Sequence, residues 1–575
     1  MRVGGGGGSH AGVAGGNVQG QGPIGALPLA PPPAPLPQSV QVQPRDPRHA
    51  VVREQVANLL DRWLRIWVNV NEQTFTQYLQ LMHQFGILAT EEAADLFFRV
   101  ATELCAEACL KTAVAGGSGD AQTILTFTVV DALSKLFLLL MRIADKEAGD
   151  TAVRVNLLTR LLTSVGRALL EDHESKKASK LVFDQRPYCR LLSNLMQDLG
   201  KVDSSGQEPS PTYLPLLTVC GQILFELRPA VAPGFAFGWL DLLSSPHFMT
   251  QLLLLKGKRG WPMVQRLLCS LLQFMQPFLK TGQLNDAIRK LYKGVLRVMV
   301  ALYQEFPEFL ADNYLPFCEV VPSNCVPLRN LACAAAPRGV AMVSPFSPNF
   351  SWDKPELSLV PAVNVDFNSA LNAGVLMAVD SYLDTRMPHE LPMVLPQALK
   401  AAESGPGYVT AINALVVYVG MRDCIAVCVD RRVSLQQCPA LEIYRQLLRA
   451  LDVEGRFLVL HAMVDSLRFP NAHTHFFTGV LQMLFLEPDA GLSLQEQIAR
   501  ILLERLVASL PHPVRASLLF SSHDEFTFTS TPLDLLLRPF GTHSLSLSSF
   551  PFLFENKNSG GLFTRSSSWC KTTAC

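Results

Sequence analysis

The sequence predicts an all-α chain, a HEAT-like α-solenoid of antiparallel helix pairs. Three observations carry that prediction. Apolar residues recur at helical spacing in one segment after another between Asp46 and Pro513. Alternating strand patterns are nearly absent. Gly, Pro, Ser and Asp separate the segments, with a helix pair every 40 residues or so and no strict consensus, as degenerate helical repeats do.

The elements follow in order. Residues 1–45 are a Gly/Pro-rich leader, with a glycine run at Gly4–Gly8 and alternation of Pro with Ala and Leu at Ala30–Gln38. Such a stretch has too few apolar groups to bury and is expected to be disordered or polyproline-like. Residues 46–336 are expected to form one helical half. Val51–Val70 carries Val56, Leu59, Leu60, Leu64, Trp67 and Val68 on one face. Thr90-Glu91-Glu92 opens a long helix through Leu96, Phe97, Val100, Leu104 and Ala108, and Gly116–Gly119 reads as a loop. Further helices are expected near 121–145, 151–171, 187–200, 211–227, 246–257 and 260–281. From Leu291 a wide apolar face runs through Val295, Met299 and Tyr303 until Phe306-Pro307 breaks it.

Residues 337–365 hold Pro337, Pro345, Pro348, Pro355 and Pro361 with little periodicity. They read as an extended crossing segment, packed locally by Phe346, Phe350 and Trp352. Helices resume near Asp366 for a second half, 366–513, with segments at 436–451, 453–469 and 472–486. Ser493-Leu-Gln-Glu496 has the form of a capping box ahead of Ile498, Ile501 and Leu502. Residues 514–575 are an atypical Ser/Phe-rich tail with little helical pattern.

Composition narrows the function. Lys+Arg and Asp+Glu both number 49, so the chain lacks the basic footprint of strong nonspecific nucleic-acid binding. Charged residues make up 17% of the chain, against roughly 25% in ordinary globular proteins. That low fraction suits a chain that hides surface against partners. The 13 cysteines are scattered, without paired CxxC motifs, and give no support for a zinc site. Cys105/Cys109 and Cys424/Cys428, spaced four apart on helices, read as small buried hydrophobes in a reducing compartment. No signal peptide is visible, and the uncharged run Ser404–Met421 is too broken by Gly and Pro to span a bilayer. The expectation is a soluble, intracellular chain.

Candidate chemistry is sparse. His473 and His475, two apart, do not share a helix face and read as packing or capping near Asn471 and Thr474. Asp452, Glu454 and Asp465 read as carboxylates favoured by helix starts rather than as an acid/base set. Glu174–Arg190 carries Lys176, Lys177, Lys180, Arg186 and Arg190, a solvated loop first and a weak RNA or acidic-partner contact second. No phosphate-cradling glycine loop followed by Lys-Ser/Thr exists. The aromatic turns Pro233–Trp239 and Gly260–Met263 read as inter-helix packing or as a partner groove.

Several segments in order resemble one family: Leu169–His173, Pro229–Leu243, Gly260–Met263, Leu291–Asn330, Ile412–Gly420, Glu454–Phe457, Arg468–Phe477 and Gln495–Pro513. The resemblance is to the scaffold (largest) subunit of the CCR–NOT mRNA deadenylase complex, in its C-terminal NOT-module homology domain. It implies an α-solenoid without catalytic residues, cofactor or metal. It also implies docking of two companion NOT subunits whose extended segments wrap the helices, in support of mRNA deadenylation, translational repression and decay. Trp239, Trp261, Phe306, Phe309, Tyr314 and Arg329 are the expected partner-binding residues. Cytoplasm, including P-bodies, and nucleus are the expected locations. A generic α-solenoid adaptor of the transport-receptor type is the alternative. The chain is expected to cover the last part of a longer scaffold. Without the family's closing helices, the apolar face of 494–508, with Ile498, Ile501 and Leu502, is expected to be exposed and labile.

Overall fold

A computed structural model describes residues 47–115, 127–148, 151–201, 213–340, 342, 350–401, 406–487 and 491–509. The leader 1–45, the loop Gly116–Gly119, Phe346 and the tail 514–575 lie outside them. The described residues are helical with no strand among them and fall in one compact unit.

The first half comprises α1 (Pro47–Ile66), α2 (Glu72–Gln84), α3 (Glu91–Ala115), α4 (Thr128–Ala148), α5 (Thr151–Ala178), α6 (Arg186–Lys201), α7 (Tyr213–Glu226), α8 (Ala236–Leu243), α9 (Gln251–Leu254), α10 (Trp261–Thr281) and α11 (Asp286–Glu305). Three short helices follow: α12 (Pro307–Asp312), α13 (Tyr314–Val320) and α14 (Val326–Ala334). The second half holds α15 (Phe367–Leu371), α16 (Ala373–Thr385), α17 (Leu391–Ala401), α18 (Pro406–Cys424), α19 (Pro439–Ala450), α20 (Val453–Asp465), α21 (Ala472–Leu486) and α22 (Gly491–Ser509).

Alternate helices pack on one another. In the first half α1, α3, α5, α7, α10 and α13 make one layer, and α4, α6, α8, α11 and α14 the other. In the second half α18 packs on α20, and α20 on α22. This is the expected stack of helix pairs. Each pair leaves an apolar stripe that only its neighbour can cover. The interior is Leu-rich and aromatic: Trp63, Phe97, Phe137, Leu169, Trp239, Phe248, Phe309 and Tyr444 are all buried. A side chain of this size contributes about 1.5–3 kcal/mol when fully buried.

Local chemistry fixes many ends. Asn71 caps α2 and Thr74 returns the bond, a reciprocal capping box. Asn285, Asp366, Asp452 and Asn471 each accept an amide of the following turn. At Gly282 the chain turns left-handed (φ 67°) and ends α10. Phe306-Pro307 breaks α11 from α12 where the sequence places the break.

Some boundaries differ. Within 246–257 the chain makes a π-type turn, Pro246–Thr250, before the short α9, and Gly257 (φ 69°) then closes a tight turn. Ser493 lies inside α22, which spans Gly491–Ser509, so it is not a cap. Ile498, Ile501 and Leu502 are buried, because α22 packs on α20, α21 and α14. The expected exposed face at 494–508 is therefore corrected as far as Val507, the one large apolar residue of the described stretch left open. One stretch, Gly407–Val429, is long and apolar enough to cross a membrane. It runs on beyond the break assumed from its glycines, and Ile412, Leu415, Val416 and Val419 lie in the core of the second half.

Candidate functional site

The richest constellation of polar groups lies where the two halves meet. α14 supplies Arg329, and α20 supplies Asp465, which is 136 positions away in sequence. Arg329 Nη2 donates to Asp465 Oδ2 at 2.5 Å, with the two side chains 5% and 4% exposed. Arg329 Nη1 donates to the carbonyls of Cys318 and Val321, both at 2.8 Å. Arg505 of α22 and His461 of α20 close on the same carboxylate, at 3.5 and 3.0 Å. Burial alone would raise the Asp465 carboxyl. Arg329, then Arg505 and His461, hold it well below the carboxylate range.

A second cation sits nearby without a carboxylate contact of its own. Arg468 is buried, donates Nη1 to the Ala311 carbonyl at 2.7 Å, and lies 3.7 Å over the Tyr314 ring. The Tyr314 hydroxyl meets Ser466 Oγ at 3.2 Å. The crossing segment ties in as well. Asn364 N–H donates to the Asp312 carbonyl, Ala472 N–H to the Leu359 carbonyl, and Trp352 stacks on His475 at 4.6 Å.

The expected partner-binding residues fall largely inside this brace. Trp239 is fully buried and donates its indole N–H to the Leu224 carbonyl. Trp261 donates to the Leu253 carbonyl and meets Phe309 edge-on at 5.5 Å. Phe309, Tyr314 and Arg329 are also buried; Phe306 alone is half-buried. Trp239, Trp261, Phe309, Tyr314 and Arg329 are buried within the chain itself. Their side chains are engaged by the chain's own interior, which leaves almost no surface for a partner.

The other candidates separate. Asp452 caps α20 and Glu454 is exposed, so neither joins Asp465. In the basic stretch, Lys176 pairs with Asp172, Lys177 with Glu174, Arg186 with Asp184, and Arg190 with Asp131. That neutralises most of the patch. Cys318, Cys333 and Asp465 bring donor atoms within 4.8 Å of one another. The donor set does not suit a metal ion, because the Arg329 guanidinium already occupies Asp465. In addition, the Cys333 contact and then burial keep the Cys318 thiol far above its usual range.

His473 and His475 face different neighbours. Burial, then Arg468, pulls His473 down to about 3. In acid the unfolded chain binds a proton at this residue that the folded chain refuses, so stability falls as pH drops below the unfolded value of 6.5. From pH 7 to pH 5 the loss from this group is expected to be about 2 kcal/mol. Urea unfolding of the parent and of His473→Met at both pH values checks it. An equal pH difference in both proteins excludes His473 as the cause.

These features define the class: an all-α helical-repeat protein whose buried polar groups brace neighbouring helices. Residues 199–521 match the family described as "CCR4-Not complex component, Not1". The chain belongs to the Not1 family. The Caenorhabditis elegans "CCR4-NOT transcription complex subunit let-711" is 32% identical over 533 residues, covering 88% of this chain and 20% of that protein. The Saccharomyces cerevisiae "General negative regulator of transcription subunit 1" is 25% identical over 516 residues, covering 85% and 24%. The chain thus spans about a fifth to a quarter of the length of these curated relatives. Among solved structures, the NOT1 superfamily homology domain from Chaetomium thermophilum superposes with a TM-score of 0.73 at 22% identity, covering 86% of this chain and 99% of that one. A structure titled "Not1 C-terminal domain in complex with Not4" gives 0.70 at 22% identity, covering 85% and 100%. Both share the fold.

Proposed function

We propose that this chain is a non-catalytic docking scaffold of the CCR4–NOT complex. On this reading it holds companion NOT subunits, two in number, and a Not4-type partner, and so supports mRNA deadenylation, translational repression and decay. The observation that carries the reading is the family membership, joined to a structural neighbour whose title names Not4 as its partner. The distribution of side chains supports it. The reactive groups reviewed above are paired or interior, whereas Met377, Met393 and Val394 of α16 and α17 and Leu254 of α9 stand more than half exposed. Flexible methionines on an outer face suit contact with an extended apolar segment. The proposed locations, cytoplasm with its P-bodies and nucleus, follow from the same reading.

Co-expression of the full chain with the companion NOT subunits and Not4 tests it. The expected result is a stoichiometric complex on gel filtration, and no shortening of adenylated RNA by the chain alone with or without divalent metal. Elution of the chain free of every companion overturns the docking role.

A further inference from the structure

Two thiols from neighbouring helices meet beside the brace. Cys318 of α13 and Cys333 of α14 are free cysteines, 15 positions apart in sequence, with their sulfurs 3.3 Å apart. A disulfide bond is about 2.0 Å long, so the two atoms need close by only about 1.3 Å to be joined. The helices themselves pack on one another, and Tyr314, Leu315 and Val417 wall the pair in. Cys318 is 8% exposed and Cys333 1%, so Cys318 is the sulfur nearer to solvent. The third cysteine of this region, Cys325, is turned elsewhere and meets the Tyr292 hydroxyl at 3.4 Å.

We propose that Cys318 and Cys333 form a reversible redox-modification site, in which a low-molecular-weight disulfide converts the two thiols into one intramolecular disulfide that stitches α13 to α14. The reaction is a double exchange. The Cys318 thiolate displaces one half of the small disulfide, which leaves as a thiolate and takes up a proton. The Cys333 sulfur, having lost its own proton, then displaces the second half from Cys318. One S–S bond forms in the chain and one breaks in the reagent. The two cysteines give up two electrons and two protons, and the reagent becomes two thiols. The Cys333 contact and then burial hold the Cys318 thiol above its usual range, which slows the first attack. The end point depends instead on how closely the fold holds the sulfurs together. The bond would act at the first half's end of the brace. Arg329 precedes Cys333 by one helical turn and already donates to the Cys318 carbonyl at 2.8 Å. Oxidation would therefore fasten α13 to α14 at the residues that seat Arg329, without help from Asp465.

The test uses the full chain, native and in urea, equilibrated with mixtures of reduced and oxidised glutathione. Samples are quenched in acid, alkylated and digested with trypsin. The expected product links peptide 298–329, which carries Cys318 and Cys325, to peptide 330–338, which carries Cys333. Its equilibrium constant is expected to be about thirtyfold or more greater in the native chain than in urea, because a bond that fits the fold is favoured by it. Cys325→Ser is expected to keep the link and Cys318→Ser to abolish it. Three results overturn the site: a native chain that stays reduced in oxidised glutathione alone, equal constants in the native chain and in urea, or a link that survives Cys318→Ser. The comparison of native and unfolded parent chains needs no variant, so a folding defect in Cys318→Ser leaves the test intact. None of these outcomes depends on the docking role.

Discussion

Asp465→Ala is expected to destabilise the chain by about 3–5 kcal/mol at neutral pH, among the largest effects of any single substitution. The carboxylate is interior and neutralises Arg329 and Arg505 together. Removing it leaves the Arg329 cation out of water without its carboxylate, and the carbonyls of Cys318 and Val321 offset only part of that. Arg505→Met is expected to cost less, because Asp465 keeps Arg329 at 2.5 Å. The pH dependence has a fixed sign. The folded pKa of Asp465 is depressed below 3.8, so its contribution is present above that value and is lost as pH falls toward the folded pKa. Urea unfolding of both variants checks the ranking. A loss below about 1 kcal/mol for Asp465→Ala would place the cluster in solvent contact, as for surface pairs.

Gly260→Ala is the second large effect. A Cβ at Gly260 would stand 2.2 Å from the Leu252 carbonyl oxygen and 2.8 Å from its Cα. The obstacle is backbone, so no side-chain rotation relieves it, and α9 must separate from the start of α10. We expect about 3 kcal/mol or more. Gly221→Ala is the control. There the Cβ would meet the Met263 side chain at 2.6 Å, and a flexible thioether can swing aside. The expected outcome is a much smaller loss for Gly221→Ala in the same urea titration. Equal losses would mean that α9 yields as readily as a methionine.

The helical array was legible because its signals are local. Periodicity, the cap at Asn471, and the stop at Phe306-Pro307 lie within a few residues of what they determine. The turn at 246–250 was not legible, since a π-type turn has no strong residue signature and its neighbours are apolar on every side. Ser493-Leu-Gln-Glu496 misled for a related reason. A capping pattern inside a continuing helix looks the same as one at its start. The interior placement of the large aromatic residues was not legible either. Trp239, Trp261 and Phe309 bury large apolar area either within a chain or against a partner, and sequence records the area without the destination. Arg329 and Asp465 meet only once distant helices pack, so nothing local announces the pair.

The 136 residues between Arg329 and Asp465 also set a schedule for synthesis. A ribosome adds roughly 5–20 residues per second, so on the order of ten seconds separate the two. Throughout that interval α13 and α14 have left the tunnel with their central cation unmatched, and Tyr314 awaits the Arg468 that will cover it. The end of the first half therefore cannot reach its final packing by itself. Its last layer closes only once α20 and Arg468 have been made.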